Sequence, residues 1–329
     1  MQEIQSTVDG TNKEIYSKEN IVEMLEMPLL PLLRKAQKIH LEYFPIDEVQ
    51  LASLLSIKTG SCPEDCKYCP QSAHYANKTE LQKESLMNTE DVLKKAKIAK
   101  ENGATRFCMG AAWRKIPKGK QFESILSMVR GVKEMGMEAC VTLGTLNKEE
   151  AMLLKEAGLD AYNHNIDTSP KFYKKIISTR HFNERLETIK HVIDAKISVC
   201  SGGIIGMGES IEDRAEMLSI LANLDPYPES VPINALVPVK GTPLEHRDII
   251  DPLELVRMIA AARISMPKAK IRLSAGRSNL SKEAQALCFL AGANSIFYGE
   301  KLLTTQNNDT QADKDLLKNL FGIAYRTNH

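Results

Sequence analysis

LLSIKTGSCPEDCKYCPQSAHY (54–75) runs from a strand-like segment straight into a loop with cysteines at Cys62, Cys66 and Cys69. Thiols spaced four and three residues apart on a compact loop can turn toward one point, as a metal or iron–sulfur centre demands. A 4Fe-4S cube normally takes four thiolates, and this run supplies three. A cube held here keeps one iron open to a small chelating molecule, so it can do chemistry as well as carry electrons. Two other readings use the same residues. With His74 the three cysteines make the donor set of a Cys3His zinc site, although the paired CxxC half-site usual in zinc modules is missing. A disulfide framework fits poorly, because seven cysteines, an odd number, are spread over a long chain.

Outward from this loop, β-rich runs alternate with helical ones. Candidate strands are 54–60, 104–110, 138–144, 161–167, 196–202, 230–237, 270–276 and 294–299. Helical segments fall at 90–102, 121–135, 148–157, 183–195, 211–223, 252–265 and 281–290. The first opens on Glu90 and Asp91 and stops at Gly103; the third follows Asn147 and stops at Gly158. Eight strands with intervening helices predict an α/β chain folded as a (β/α)8 TIM-type barrel, with an open doubly wound sheet as the rival. Residues 17–42 add one or two helices capping an end. The expected division is an N-terminal helical extension (1–45), the barrel (46–305) and a C-terminal tail (306–329).

The 329 residues suffice for a substantial core, and no linker forces a second domain. With 26% charged residues and a net charge of +1, no basic excess points to nucleic acid, and the expected substrate is small. The first 20 residues are polar and lack a signal-peptide apolar core, and no apolar stretch is long enough to span a bilayer. The expectation is a protein of the reducing cytoplasm, away from membranes, where free thiols persist as ligands.

A barrel gives the other cysteines a shared address. Cys108, Cys140 and Cys200 each read as late in a strand, and Arg272 holds a comparable place in IRLSAG (271–276). Inward side chains near the carboxyl ends of barrel strands face the active site. One buried cysteine is an ordinary core residue; three at matched positions open the alternative of a second metal centre. In YNHNID (162–167), Asn163, Asn165 and Asp167 share one face of a strand and His164 and Ile166 the other. That polar face either reads a head group and ribose hydroxyls or is a solvated strand end. GGIIGMGES (202–210) lies between a strand and a helix, where backbone can approach a nucleotide. Ile211 stands where the third glycine of GxGxxG belongs, so a Rossmann reading is weak.

The cysteine loop taken with RFCMGAAW (106–113), EACVTLGTL (138–146), YNHNIDTSP (162–170), CSGGIIGMGE (200–209), ESVPINALVPVKGTPL (229–244), RLSAGR (272–277) and AGANSIFYGEKLLTT (291–305) resembles the biotin synthase family of radical S-adenosylmethionine enzymes. The resemblance implies two clusters: a 4Fe-4S cluster on Cys62, Cys66 and Cys69, and a 2Fe-2S cluster on Cys108, Cys140, Cys200 and Arg272. S-adenosylmethionine would chelate the open iron, with Tyr68, Asn165, Asp167, Gly206 and Glu209 around it. Dethiobiotin would meet Asn163 and Asn234 through its ureido ring and Thr304 and Thr305 through its carboxylate. The implied activity is a sulfurtransferase that inserts cluster sulfide into dethiobiotin by radical chemistry. The implied partners are an electron donor such as flavodoxin or ferredoxin, the iron–sulfur assembly machinery and a second copy in a homodimer. Arginine is an odd ligand, being effectively always protonated; by its own chemistry Arg272 reads as an anion binder or a surface ion-pair partner. Cys288 has no part in this scheme and is expected to pack within a helix.

Overall fold

The computed structural model describes residues 7–8, 14–299 and 301–322. Parts of the expected N-terminal extension and C-terminal tail therefore lie outside the described residues. A short antiparallel pair, β1 (Thr7–Val8) and β2 (Glu14–Ile15), precedes helices α1 (Lys18–Glu26) and α2 (Leu29–Tyr43). The remaining elements alternate: β3 (Gln50–Lys58), α3 (Thr89–Glu101), β4 (Arg106–Ala111), α4 (Lys120–Glu134), β5 (Glu138–Thr142), α5 (Lys148–Glu156) and β6 (Ala161–Asn163). After these come α6 (Pro170–Ile176), α7 (Phe182–Asp194), β7 (Ser198–Cys200), β8 (Gly203–Ile205), α8 (Ile211–Ala222) and β9 (Ser230–Ala235). The chain ends with α9 (Pro252–Ser265), β10 (Lys270–Leu273), α10 (Lys282–Leu290), β11 (Ser295–Phe297) and α11 (Thr310–Phe321).

Caps in the sequence start these helices. Asn88 accepts from the Asp91 amide ahead of α3, while Asn147 with Glu150 and Ser210 with Asp213 close reciprocal capping boxes at α5 and α8. Each box satisfies two backbone donors that the first helical turn leaves orphaned. The strands pair in parallel around a closed ring, β3-β4-β5-β6-β7-β9-β10-β11, and β11 returns to β3. The predicted barrel is the observed one. Because helices cover its outside, strands such as β4 (RFCMGA) are buried along their whole length.

Strand bounds shift by a few residues throughout, and two expected strands differ in their course. The expected 196–202 strand is a broken stave: β7 meets β9 at Cys200, the chain steps at Ser201 and Gly202, and β8 resumes along β9. Gly202 allows the step, since a Cβ there would lie 2.0 Å from the Pro232 carbonyl oxygen. The expected 161–167 strand stops at Asn163, and Asp167 takes a left-handed φ of +67°.

The segment after residue 306, expected as a tail, forms α11 between an Asp309 cap and a Gly322 stop. It is tied to the barrel by Arg277 and Asp313, both buried, with Nη2 and Oδ2 2.6 Å apart. Removing one partner leaves an uncompensated buried charge, so Asp313→Ala is expected to cost about 3–5 kcal/mol. A denaturant titration checks this; a loss under about 1 kcal/mol would mean the pair contributes little beyond packing.

Candidate active site

The cysteine loop leaves β3 through Gly60 and Ser61, both left-handed at φ +76° and +55°. Its backbone is knitted across itself: the Cys62 amide donates to the Gln71 carbonyl at 2.9 Å, Ala73 to Cys62 at 2.7 Å and Cys69 to Cys66 at 2.9 Å. Beneath it the buried Glu64 takes Arg180 at 3.0 Å and Arg114 at 2.9 Å. The Tyr68 hydroxyl donates to Asp167 at 2.8 Å, and Arg185 meets the same carboxylate at 2.6 Å. The loop is thus fastened to both the barrel rim and α7.

Burial pushes the Cys62 and Cys66 thiols up, and Cys69 up to about 12. Such thiols ionise only beside a strong positive charge, which bound iron supplies. Among the described residues no three His, Cys, Asp or Glu side chains converge on a single-ion site. His74 is exposed, with Nε2 3.2 Å from the Pro63 carbonyl oxygen. The Cys3His zinc arrangement is therefore not assembled. A cluster asks for something else, a separate iron for each thiolate. All seven cysteines are free thiols.

Further down the barrel, register brings together the second set. Cys108 pairs directly with Cys140 across β4 and β5, and Cys200 pairs with Asn163 across β6 and β7. Cys108 and Cys140 stand mid-strand rather than late in it, which sets them deeper than the sequence suggested. Their shared hydrogen bond pulls Cys108 below the usual thiol range, helped by Arg272 and Arg106, and raises Cys140.

Arg272 is 0% exposed, so the surface ion-pair reading fails. Its Nε donates to Ser295 Oγ at 2.9 Å and Nη2 to Gln50 Oε1 at 3.0 Å, while Nη1 lies 3.7 Å from Cys200 Sγ. The guanidinium stacks over Phe297, 4.9 Å from the ring centroid. The hydroxyls of Ser201 and Ser230 are buried without partners. Three buried thiols, an arginine turned toward one of them and the orphaned Ser230 hydroxyl, level with Cys200 on the neighbouring strand, fit a small polynuclear group and not a dry apolar core.

A cavity of about 340 Å³ connects the two sets. Cys62, Cys66, Cys69 and Tyr68 line it, as do Cys108, Cys140 and Arg272, with Asn163, Asn165, Asp167, Asn234, Thr304 and Thr305 in its walls. Cys200 adjoins this wall through Asn163 Nδ2, 3.3 Å from its sulfur. The amide face expected on a strand survives the strand's early end, because Asn163 Nδ2 donates to Asn165 Oδ1 at 3.2 Å. Gly206 and Glu209 do not line the cavity. Glu209 accepts the Gly206 and Met207 amides, each at 2.8 Å, and pairs with Arg214 at 2.7 Å, fixing the turn before α8.

Sequence reasoning missed Arg185, Gln50 and Ser295. Arg185 carried a signal: it shares the buried face of α7 with Phe182, Thr188, Ile189 and Val192, and a charge on such a face needs a partner. Cys288 is buried in α10, as expected.

Comparison with known proteins agrees with this geometry. The Radical SAM superfamily matches residues 56–221, and the Biotin and Thiamin Synthesis associated domain matches residues 232–321. The biotin synthase of Methylorubrum populi is 62% identical over 90% of this chain and 86% of its own; that of Synechococcus elongatus is 59% identical over 93% and 95%. The fold is shared with the FeFe-hydrogenase maturase HydG of Carboxydothermus hydrogenoformans (TM-score 0.79, 17% identity, 94% of this chain and 76% of that one). Methylornithine synthase PylB shares it as well (TM-score 0.75, 18% identity, 95% and 94%). With relatives this similar along nearly its whole length, the chain belongs to the biotin synthase family of radical S-adenosylmethionine enzymes.

Proposed function

We propose that the protein inserts sulfur into dethiobiotin to form biotin, with S-adenosylmethionine as the radical source. One observation carries the reading: a single cavity has the three-cysteine loop on one side and Cys108, Cys140 and Arg272 on another. Cys62, Cys66 and Cys69 would hold a 4Fe-4S cluster, and Cys108, Cys140, Cys200 and Arg272 a 2Fe-2S cluster. When bound, the first supplies the electron that cleaves S-adenosylmethionine reductively and the second supplies the sulfur.

The chain's own residues do the rest. No side-chain acid or base can break an unactivated C–H bond, so their work is placement and exclusion of water. Asn163 and Asn234 would orient the ureido ring. Asn234 spends one N–H on the Gly203 carbonyl and its Oδ1 on the Ala275 amide, which fixes the plane in which its second N–H is presented. Thr304 and Thr305 would receive the substrate carboxylate. Asn165 and Asp167 would hold the cofactor's ribose, with Tyr68 and Arg185 fixing the Asp167 carboxylate. Gly206 and Glu209 would act by shaping the loop that flanks it. Leu54, Leu302, Leu303 and Phe297 supply apolar wall that keeps water from a carbon radical.

No helix among the described residues is long and apolar enough to cross a membrane. A cytoplasmic location, a homodimer, a flavodoxin or ferredoxin donor and dependence on cluster assembly machinery complete the proposal.

The test is anaerobic incubation of iron- and sulfide-reconstituted protein with dethiobiotin, S-adenosylmethionine and a low-potential reductant. Reconstitution uses labelled sulfide, and the excess is removed before unlabelled sulfide is added. The expected product is biotin carrying the label, because a sulfide fixed beside the substrate has a large effective-concentration advantage over one in solution. Absence of biotin overturns the function; unlabelled biotin overturns the assignment of the sulfur source.

A further inference from the structure

The outer surface of the cysteine loop is where an electron reaches the first centre by the shortest path, and its chemistry is uneven. Ser61, Pro63, Ala73 and His74 are exposed there while Cys66 is buried. The Lys67 amide donates to the Ile176 carbonyl at 3.1 Å, which sets the loop against the last turn of α6. Lys174 and Lys175 occupy that turn, and both are exposed, as is Lys67. No carboxylate pairs with any of the three among the described residues. Asp65, the nearest acid in sequence, accepts the Ser178 amide at 2.9 Å and the Thr179 amide at 3.1 Å, so it is already engaged. Small uncharged residues near the cysteines are thus flanked by three unneutralised ammonium groups, in a chain whose net charge is only +1.

We propose that this face docks a small acidic electron-transfer protein, which seats over Ser61, Pro63 and Ala73 and meets Lys67, Lys174 and Lys175 with carboxylates. The proposal rests on the reading that Cys62, Cys66 and Cys69 hold a reducible cluster. Electron transfer weakens steeply with distance, so the donor has to approach the surface nearest those thiolates. Redox encounters bury little area, and a compact patch of this kind is enough for one. Complementary charge raises the encounter rate by about 10–10³-fold and is screened by salt.

The experiment compares two reductants on the reconstituted enzyme, reduced flavodoxin and dithionite, with 5′-deoxyadenosine as the readout, and measures flavodoxin binding directly. In the variant Lys67→Glu, Lys174→Glu, Lys175→Glu, flavodoxin-driven kcat/KM at low ionic strength is expected to fall about tenfold or more. Flavodoxin binding should weaken by a similar factor, and in the Lys174→Glu, Lys175→Glu pair, which leaves the cysteine loop untouched, dithionite-driven turnover should stay at the parent level. The same reversal at Lys38, Lys95 and Lys97, exposed elsewhere, should change neither. The milder Lys174→Gln, Lys175→Gln pair should show an intermediate loss if the triple variant folds poorly. Unchanged flavodoxin binding overturns the proposal, as does an equal fall with both reductants, or a face that binds heparin but not flavodoxin. A parent enzyme that makes no 5′-deoxyadenosine with dithionite overturns the cluster reading instead, and the binding measurement still decides the docking face.

Discussion

Cys66→Ala is expected to abolish reductive cleavage of S-adenosylmethionine, with 5′-deoxyadenosine formation falling by more than about 100-fold, beyond the loss typical of outer-shell partners of a metal site. Cys66 is the most buried of the three loop thiols and lies between its two partners in sequence. The remaining cysteines offer two thiolates to a centre that, as proposed, needs three. The fold should survive, since Cys66 contributes a small apolar contact and the loop is held by backbone hydrogen bonds that alanine keeps. The assay is anaerobic chromatography of 5′-deoxyadenosine after reconstitution. Formation at the parent rate would remove the cluster from this loop.

Cys140→Ala separates the two centres. Biotin formation is expected to drop by more than about 100-fold, while 5′-deoxyadenosine continues to form, because in the proposed function the floor of the cavity would supply sulfur and would not generate the radical. Cys140 is 0% exposed and loses only a sulfur atom, a change expected to cost about 1 kcal/mol of stability. The loop above is held by Glu64, Asp65 and Tyr68, none of which touches Cys140, so it provides an internal control. Iron and sulfide counts should fall by one small cluster as biotin disappears. Normal biotin yield with an unchanged visible spectrum would defeat the assignment of Cys140.

These two experiments call on features that differed in how legible they were. The cysteine loop was readable because its three cysteines lie within eight residues, and spacing that short constrains the geometry before any tertiary contact forms. The barrel was readable for a related reason. Strand and helix periods, Asn and Ser caps and glycine stops act locally, and a chain that alternates them eight times has few ways to bury both faces of its strands. Helix α11 has a local cap and stop in Asp309 and Gly322, but its docking against the barrel depends on the distant Arg277.

By itself, then, the sequence determined the alternation of strands and helices, the three-thiolate loop and, through its likeness to one family, the candidates for the second set. Tertiary structure decided which of those candidates share a cavity and at what depth. Strand register alone sets Cys108 against Cys140 and Cys200 against Asn163, since a shift of one residue would turn every such side chain to the other face. Tertiary structure also removed one of the two readings of Arg272, anion binder or surface ion-pair partner, by burying it. Closure of the ring between β3, β10 and β11 brings Gln50 and Ser295 to its guanidinium from positions 222 and 23 residues away. A buried arginine is tolerable only where such partners converge, and residues so distant in sequence converge only once the barrel has closed.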